Sequence, residues 1–482
     1  MDEIRIGLDF GTHQTKICVC RIPDEGHGQP EYEFFKFPDQ NGEEQYFIPS
    51  VVQINKDDTL SYGYVDPEEE KESVPIPIRE YIAEPTKPGD IERVASSLYA
   101  KYSTIVDYNE EGEHALVEML KLKSEIDKKN YDERLAAAQA KYEQDLSRYH
   151  REKNLFRYFK QATFAEYPWE SNYNADILCI WYLAYIIFLL EEKYADGFAI
   201  NMGVPTDDKT FFAKRELGSK ILMSAIHLVE DVYQNDLNAF VKEKVSELMR
   251  KTQIQAFTEE DKDFYRINIF PEAYASLIGL TSRGKLSEGM SINADIGGGT
   301  TDISFFIVKD RMPKIYKYWS IPRGLNYLAE MSGFDYSEKD FIKNVRQDFI
   351  DKFNHKKEEV IYNLTRSLIG LLRNSGIHKS NLLAALKDRI LVYNGGGSTY
   401  EQLTTPIYLF TDVKVVDEEM WAEEMVKEKR KVSKIFNLLT TAYGLSVSLD
   451  DHDVVLCDFD SIFAPYYKVK KNEKDEIDKD VC

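Results

Sequence analysis

The sequence predicts an α/β chain, and three observations carry that expectation. A strand–loop–strand unit near residue 9 recurs near residue 295. A short late strand at 389–393 runs into a further glycine cluster. Apolar or Lys/Glu-rich stretches of helical character fill most of the intervals between them. The chain has 482 residues. At about 150 residues per domain this is a prior of roughly three domain-sized units, enough to bury a large core without disulfides or metals.

The elements follow in order. Residues 4–9 and 15–20 run apolar or alternate around a Gly-Thr turn and read as two strands. More strand material lies at 32–37, 46–54 and 60–64, whereas the acids and prolines of 66–92 predict irregular structure. From about 110 to 155 the chain becomes rich in Lys, Glu, Ala and Gln and reads as one or two long solvated helices. Leu135, Tyr142 and Tyr149 recur every seven residues, but Ala138 and Asp145 interrupt the seam, so a projecting helical insertion is favoured over a coiled coil. The uncharged run Ile177–Leu190 is bounded by Asp176 and Glu191. It falls short of the roughly 20 residues that span a bilayer, and predicts a helix buried on nearly every face and no membrane span. Residues 198–204 read as a buried strand ending at Pro205, 207–265 as mainly helical, and 291–307 as two strands around a glycine cluster. Residues 337–388 read as helical, 389–393 as a short strand, and the charged residues from Tyr467 as a frayed tail.

Lys and Arg total 61 against 83 Asp and Glu, a formal net charge of −22. That balance excludes a general nucleic-acid binder and docking on anionic membranes. The N-terminus MDEIRIGLDFG has no secretory pattern, and the five cysteines are scattered, which predicts a reducing, cytoplasmic compartment. Cys18 and Cys20 sit two apart on a strand and read as core residues rather than a metal or redox pair. The eight histidines show no metal-ligand spacing.

Three glycine-bearing loops carry the chemistry. They are Leu8-Asp9-Phe10-Gly11-Thr12-His13-Gln14-Thr15, Ala294-Asp295-Ile296-Gly297-Gly298-Gly299-Thr300-Thr301-Asp302 and Tyr393-Asn394-Gly395-Gly396-Gly397-Ser398-Thr399-Tyr400. Glycine lets backbone N–H groups approach a phosphate, and a hydroxyl such as Thr12 or Thr300 adds a donor. An aspartate just before the turn can hold Mg2+, directly or through water. Two such loops facing each other would clamp a polyphosphate and its metal between two lobes, and a third leaves room for adenine and ribose. One loop alone is an ordinary turn; the order and context of the three make the pattern specific.

With these motifs the sequence resembles the actin/heat-shock-70/sugar-kinase ATPase superfamily, and within it the nucleotide-binding domain of heat-shock-70-type chaperones. The three loops match that family's first phosphate, second phosphate and adenosine segments. Ile48-Pro49-Ser50-Val51-Val52, Gly203-Val204-Pro205, Phe270–Leu280 and Thr441–Ser446 resemble flanking stretches, so the likeness runs with gaps from residue 4 to about 448. The resemblance implies an actin-like fold of duplicated ribonuclease H-like mixed five-stranded sheets flanked by helices, with ATP or ADP in the cleft. It places the first lobe at 1–290, with the insertion at about 110–155, and the second at 291–450, with a subdomain at about 337–388. Residues 451–482 form an extension and charged tail.

Carried over by motif, Asp9 and Asp295 would hold the Mg2+ shell, and Gly11, Thr12, His13, Gln14, Gly297, Gly298, Gly299 and Thr300 would surround the phosphates. Gly396, Gly397 and Ser398 would line the nucleoside pocket, with Tyr400 standing where those chaperones place an arginine against adenine. A tyrosine can also stack on the ring. The family's γ-phosphate lysine is assigned to Lys160, with Lys121 and Lys123 as rivals. Its glutamate before the proline of the first connecting helix is replaced here by Phe270, and the nearest acid is Glu272. The catalytic set is therefore Asp9, Lys160, Glu272, Asp295 and Thr300. The residues after 448 are too few for the family's peptide-binding sandwich and lid.

The functional expectation is an ATP-binding, ATP-hydrolysing conformational switch, with a protein partner engaged through the insertion or the lobe surfaces; the oligomeric state stays open. The alternatives are an actin-like filament ATPase, a nucleotide-binding scaffold with little turnover, and a small-molecule kinase recruiting Asp207 or Asp208 as base.

Overall fold

A computed structural model describes residues 3–23, 29–65, 110–152, 154–165, 169–194, 197–205, 210–254, 257–281, 286, 289–309, 312–332, 341–374, 390–406, 412–416 and 427–447. The expectations for 66–92, for Asp207 and Asp208, for 375–388 and for the tail from Tyr467 lie outside the described residues. The chain divides into two compact units, one of Met1–Asp66, Leu155–Trp169 and Tyr173–Cys482, the other of Pro67–Asn154 and Glu170–Asn172. In the second, α1 (Glu110–Glu152) is one continuous helix of 43 residues, free of proline and with its single glycine, Gly112, in the first turn.

The first unit holds two mixed sheets. One is built from β1 (Glu3–Phe10), β2 (Gln14–Ile22), β3 (Glu31–Phe34), β4 (Ala199–Val204) and β5 (Ile267–Pro271), in the order β5-β4-β1-β2-β3, with the short strand Ile48–Pro49 added against β2. The other is built from β6 (Gly289–Ile296), β7 (Thr301–Lys309), β8 (Met312–Ile321), β9 (Ile390–Asn394) and β10 (Asp412–Val415), in the order β8-β7-β6-β9-β10. In each, the first strand is central, two antiparallel strands follow on one side, and two later parallel strands lie on the other. The duplicated mixed sheets that the resemblance implies are therefore present.

The duplication extends to single residues. In the β1–β2 hairpin Asp9 pairs with Lys16 and Phe10 with Thr15. In the β6–β7 hairpin Asp295 pairs with Asp302 and Ile296 with Thr301. Both turns are the same length, so each delivers its glycine loop at the same distance beyond its sheet.

Two strands exceed the sequence expectation of a pair at 291–307. β8 is masked by a bulge: Phe305 pairs with Lys317 but Phe306 with Ile315, leaving Tyr316 outside the register and breaking the alternation. β10 is only four residues long.

Helices cover the sheets. After α2 (Phe159–Phe164), α3 (Ala175–Lys193) is the buried helix expected from its uncharged run. Asn174 caps it by accepting from the Asp176 amide, and Asp176 and Lys193 sit at the ends that suit their charges. Trp181 and Tyr182 are fully buried at its centre, and Trp181 Nε1 donates to Thr252 Oγ1 at 2.7 Å. α4 (Phe211–His227) runs into a π turn at Leu228–Val232, and short helices follow, as the helical reading of 207–265 expects. α5 (Glu272–Thr281) springs directly from β5. Past α6 (Leu325–Ser332) and α7 (Gln347–Asn374), α8 (Phe436–Ser446) packs on α5 and β1. Asn201 of β4 donates to the Leu445 carbonyl of α8 at 2.8 Å.

Cys18 and Cys20 are buried core residues on one face of β2, and burial pushes the Cys18 thiol up, away from a reactive thiolate. No helix among the described residues is long and apolar enough to cross a membrane.

Trp181 fixes α3 by both volume and a buried hydrogen bond. Trp181→Ala is expected to cost about 3–5 kcal/mol, and Trp181→Phe, which loses mainly the Thr252 bond, about 1 kcal/mol. Urea midpoints at constant slope measure both.

Candidate functional site

The turns at the ends of β1, β6 and β9 open onto one cavity of about 270 Å3. It is lined by Asp9, Gly11, Thr12, His13 and Gln14 from the first loop and by Asp295, Gly297, Gly298, Gly299 and Thr300 from the second. Gly396 and Tyr400 of the third loop complete it, together with Lys160 and Glu272. Gly397 and Ser398 stay out of the lining. Gly397 is packed against Ile296, and Ser398 donates its hydroxyl to the Gly395 carbonyl at 2.7 Å, so both build the underside of the turn. Lys121 and Lys123 lie on α1, where Lys121 bonds Glu118 at 3.1 Å.

The first loop is fixed from beneath. Ser50 Oγ donates to the Gly11 carbonyl at 2.7 Å and its amide donates to the His13 carbonyl at 2.8 Å. The His13 ring meets Tyr158 edge-on at 5.2 Å. The second loop has each of its glycine carbonyls held: Leu325 N bonds Gly297 O at 3.1 Å, Asn326 N bonds Gly298 O at 2.9 Å, and Gln161 Nε2 bonds Gly299 O at 3.0 Å. A planar trans peptide held by its carbonyl on one side presents the next N–H on the other. The amides of Gly298, Gly299 and Thr300 are thus aligned as an anion-cradling loop needs. In the third loop Gly395 adopts φ +78°, and a Cβ there would approach Asp295 Oδ1 to 2.2 Å, so only glycine brings this turn against the aspartate. The Tyr400 ring packs edge-on against Phe341 at 5.5 Å.

Charge is concentrated here. Lys16 Nζ donates to Asp9 Oδ2 at 2.9 Å, which the hairpin register dictates. Lys160 is buried, forms an ion pair with Glu272, and lies 5.5 Å from the centre of the Phe10 ring. Thr300 Oγ1 donates to Asp302 Oδ2 at 2.9 Å. Burial pushes Asp302 up against the Ser320 and Thr300 hydroxyls, and pushes Glu272 up against the pull of Lys160. Asp295 is pushed up to about 8, first by burial and then by the charges of Asp302, Asp9 and Glu272.

Phe270 is fully buried in β5, so the residue before the proline does not reach the cavity, but Glu272 at the start of α5 does. The nearest acid in the sequence therefore supplies a carboxylate beside Lys160.

Sequence reasoning did not assign Lys16, Asp302, Gln161 or Asn437. The first two were legible from the seven-residue spacing Asp9–Lys16 and Asp295–Asp302 once each hairpin is laid out. Gln161 and Asn437 come from remote helices and have no local signal; Asn437 Nδ2 bonds Gly395 O at 3.2 Å.

The donor set suits a hard cation that keeps water. Among the described residues no group of three His, Cys, Asp or Glu could hold a metal ion by itself. Carboxylates that burial drives toward the neutral form are nevertheless short of positive charge, the situation that Mg2+ relieves together with phosphate oxygens.

No family model and no curated protein matches the chain. Among solved structures, a non-polymerising MamK mutant bound to AMPPNP aligns over 92% of this chain and 97% of its own, at 12% identity and a TM-score of 0.33. A likeness that low carries no argument about this chain.

Asp295 keeps its proton up to about pH 8 in the folded chain and loses it near pH 4 in the unfolded one. Between these values the folded state holds more protons, so stability falls as pH rises, by about 1.4 kcal/mol per pH unit for one such group. Asp295→Asn is therefore expected to raise the melting temperature of the nucleotide-free protein more at pH 8 than at pH 5, as thermal melts at the two values would measure.

Proposed function

We propose that the chain is an actin-like ATPase that binds Mg-ATP in the cavity and hydrolyses it. The observation that carries the reading is the pair of hairpins of matched register, which bring Asp9 and Asp295 with their glycine loops to one cavity that also holds the Lys160–Glu272 pair. In this reading the two sheets are the cores of lobes at 1–290 and 291–450.

The residues divide the work. The second loop's amides and the Thr12 hydroxyl receive the phosphate oxygens, while the Thr300 hydroxyl is held by Asp302. Gly396 leaves space for the nucleoside and Tyr400 packs beside it. Asp9 and Asp295 would hold the Mg2+ shell, and Mg2+ bound with the polyphosphate would supply at Asp295 and Asp302 the positive charge that Lys16 gives Asp9. Lys160 neutralises charge on the terminal phosphate. Glu272, held by Lys160 and raised by burial, would orient the attacking water and accept its proton.

The cellular reading taken forward is filament formation rather than a heat-shock-70-type chaperone switch.

Asp295→Ala is expected to lower turnover by about 100-fold or more, and Lys160→Ala by a similar factor while ATP affinity changes less than tenfold. Phosphate release and equilibrium binding read these separately. Wild-type protein that is folded but neither binds nor turns over Mg-ATP would refute the ATPase reading. Sedimentation that depends on protein concentration and on ATP rather than ADP is expected for a filament; protein that stays in the supernatant at every concentration tested would remove the filament reading alone.

A further inference from the structure

We propose that Gln161 is a positioning residue whose side-chain amide latches the second glycine loop to the helix that carries Lys160, so that bound nucleotide leaves only when this latch opens. The inference rests on the nucleotide-binding reading of the cavity and assigns the control of release to a residue outside its loops.

Gln161 follows Lys160 on α2 and is 2% exposed. Its Nε2 donates to the Gly299 carbonyl at 3.0 Å, and its Oε1 accepts from Asn326 Nδ2 at 2.9 Å. The orientation is fixed by chemistry. A carbonyl can only accept, so the amide nitrogen must face Gly299, and the oxygen is left for Asn326. The backbone N–H of Asn326 in turn donates to the Gly298 carbonyl at 2.9 Å. One side chain and its partner thus set two consecutive peptides of the loop.

Close approach is built in. A Cβ on residue 299 would come within 2.7 Å of Gln161 Oε1 and 2.8 Å of Thr12, so glycine is required where the amide meets the loop. The helix also grips the other side. Lys160 pairs with Glu272, which starts the helix after β5, while Gln161 holds a loop between β6 and β7. Moving the β6–β7 loop away from α2 must break the buried Gln161–Gly299 bond, and if α6 moves with the loop, the buried Asn326–Gln161 bond as well. Buried amide groups deprived of partners are costly, so the latch resists opening until it re-forms.

Full-length Gln161→Met keeps the side-chain length and removes the amide. Asn326→Asp leaves Gln161 in place but turns its amide nitrogen toward the new carboxylate and its oxygen toward Gly299. Two measurements are made on each: hydrogen exchange of the 297–300 amides in the nucleotide-free protein, and release of a fluorescent ATP analogue after mixing with excess ATP. Both variants are expected to raise loop exchange and release about tenfold, with association rates unchanged and exchange in β1 and β6 unaltered. A residue with only a packing role would lower the melting temperature without moving release apart from association. Exchange and release both within twofold of wild type, in both variants, would overturn the latch. Faster loop exchange in variants of a wild-type protein that retains no analogue would support the latch and overturn the nucleotide reading alone.

Discussion

Four carboxylates, Asp9, Glu272, Asp295 and Asp302, act on one another in a single cavity, and the rest of the structure has to tolerate that crowding. Like charges in a poorly solvated space repel and favour protonation, and each needs a counter-charge, a donor or a proton. Lys16 answers Asp9, Lys160 answers Glu272, and the Thr300 hydroxyl answers part of Asp302. Asp295, raised by burial and by the charges of the other three, keeps a proton instead. A polyphosphate alone would worsen the balance, whereas a polyphosphate with its divalent cation would improve it.

Holding such an arrangement needs a stiff frame. The two aspartates sit at the ends of central strands, each paired on both sides within its sheet. The loops between are fastened by backbone carbonyls rather than by side chains that would fill the cavity. α3, buried on nearly every face, and the α5–α8 pair, with Tyr274 and Tyr443 fully buried, provide the packing against which these strands cannot shift. Shape and charge are therefore supplied by different parts of the chain: apolar helices set positions, and short turns set chemistry.

The division explains what could be read from the sequence. The strand–glycine–strand units, the buried helix Ala175–Lys193 and the late strand Ile390–Asn394 were legible because period, composition and glycine placement are local signals. β8 was not, because one extra residue at Tyr316 breaks the alternation that would reveal it. In the cavity, the residues of the first two loops were legible from their motifs. Gly397 and Ser398 belong to the third motif, but the tight turn started by Gly395 rotates them beneath the surface. Phe270 pointed away from a carboxylate that Glu272 then supplied, since the strand ends at Pro271 and the next residue begins a helix with a new direction. Gln161 and Asn437 depend on how distant helices dock, which no local pattern reports.

The matched hairpins carry unlike charges. Pairing Asp9 with Lys16 and Asp295 with Asp302 puts a cation and an anion at corresponding places in two otherwise equivalent turns. Two identical chains related by a twofold axis must place the same residue at both, giving either two lysines or two aspartates. A pocket with one positive and one negative wall is closed to a symmetric pair of identical chains and open to two unlike halves. The difference between Lys16 and Asp302 gives the pocket unlike walls, so the two ends of an unsymmetrical ligand would meet different charge.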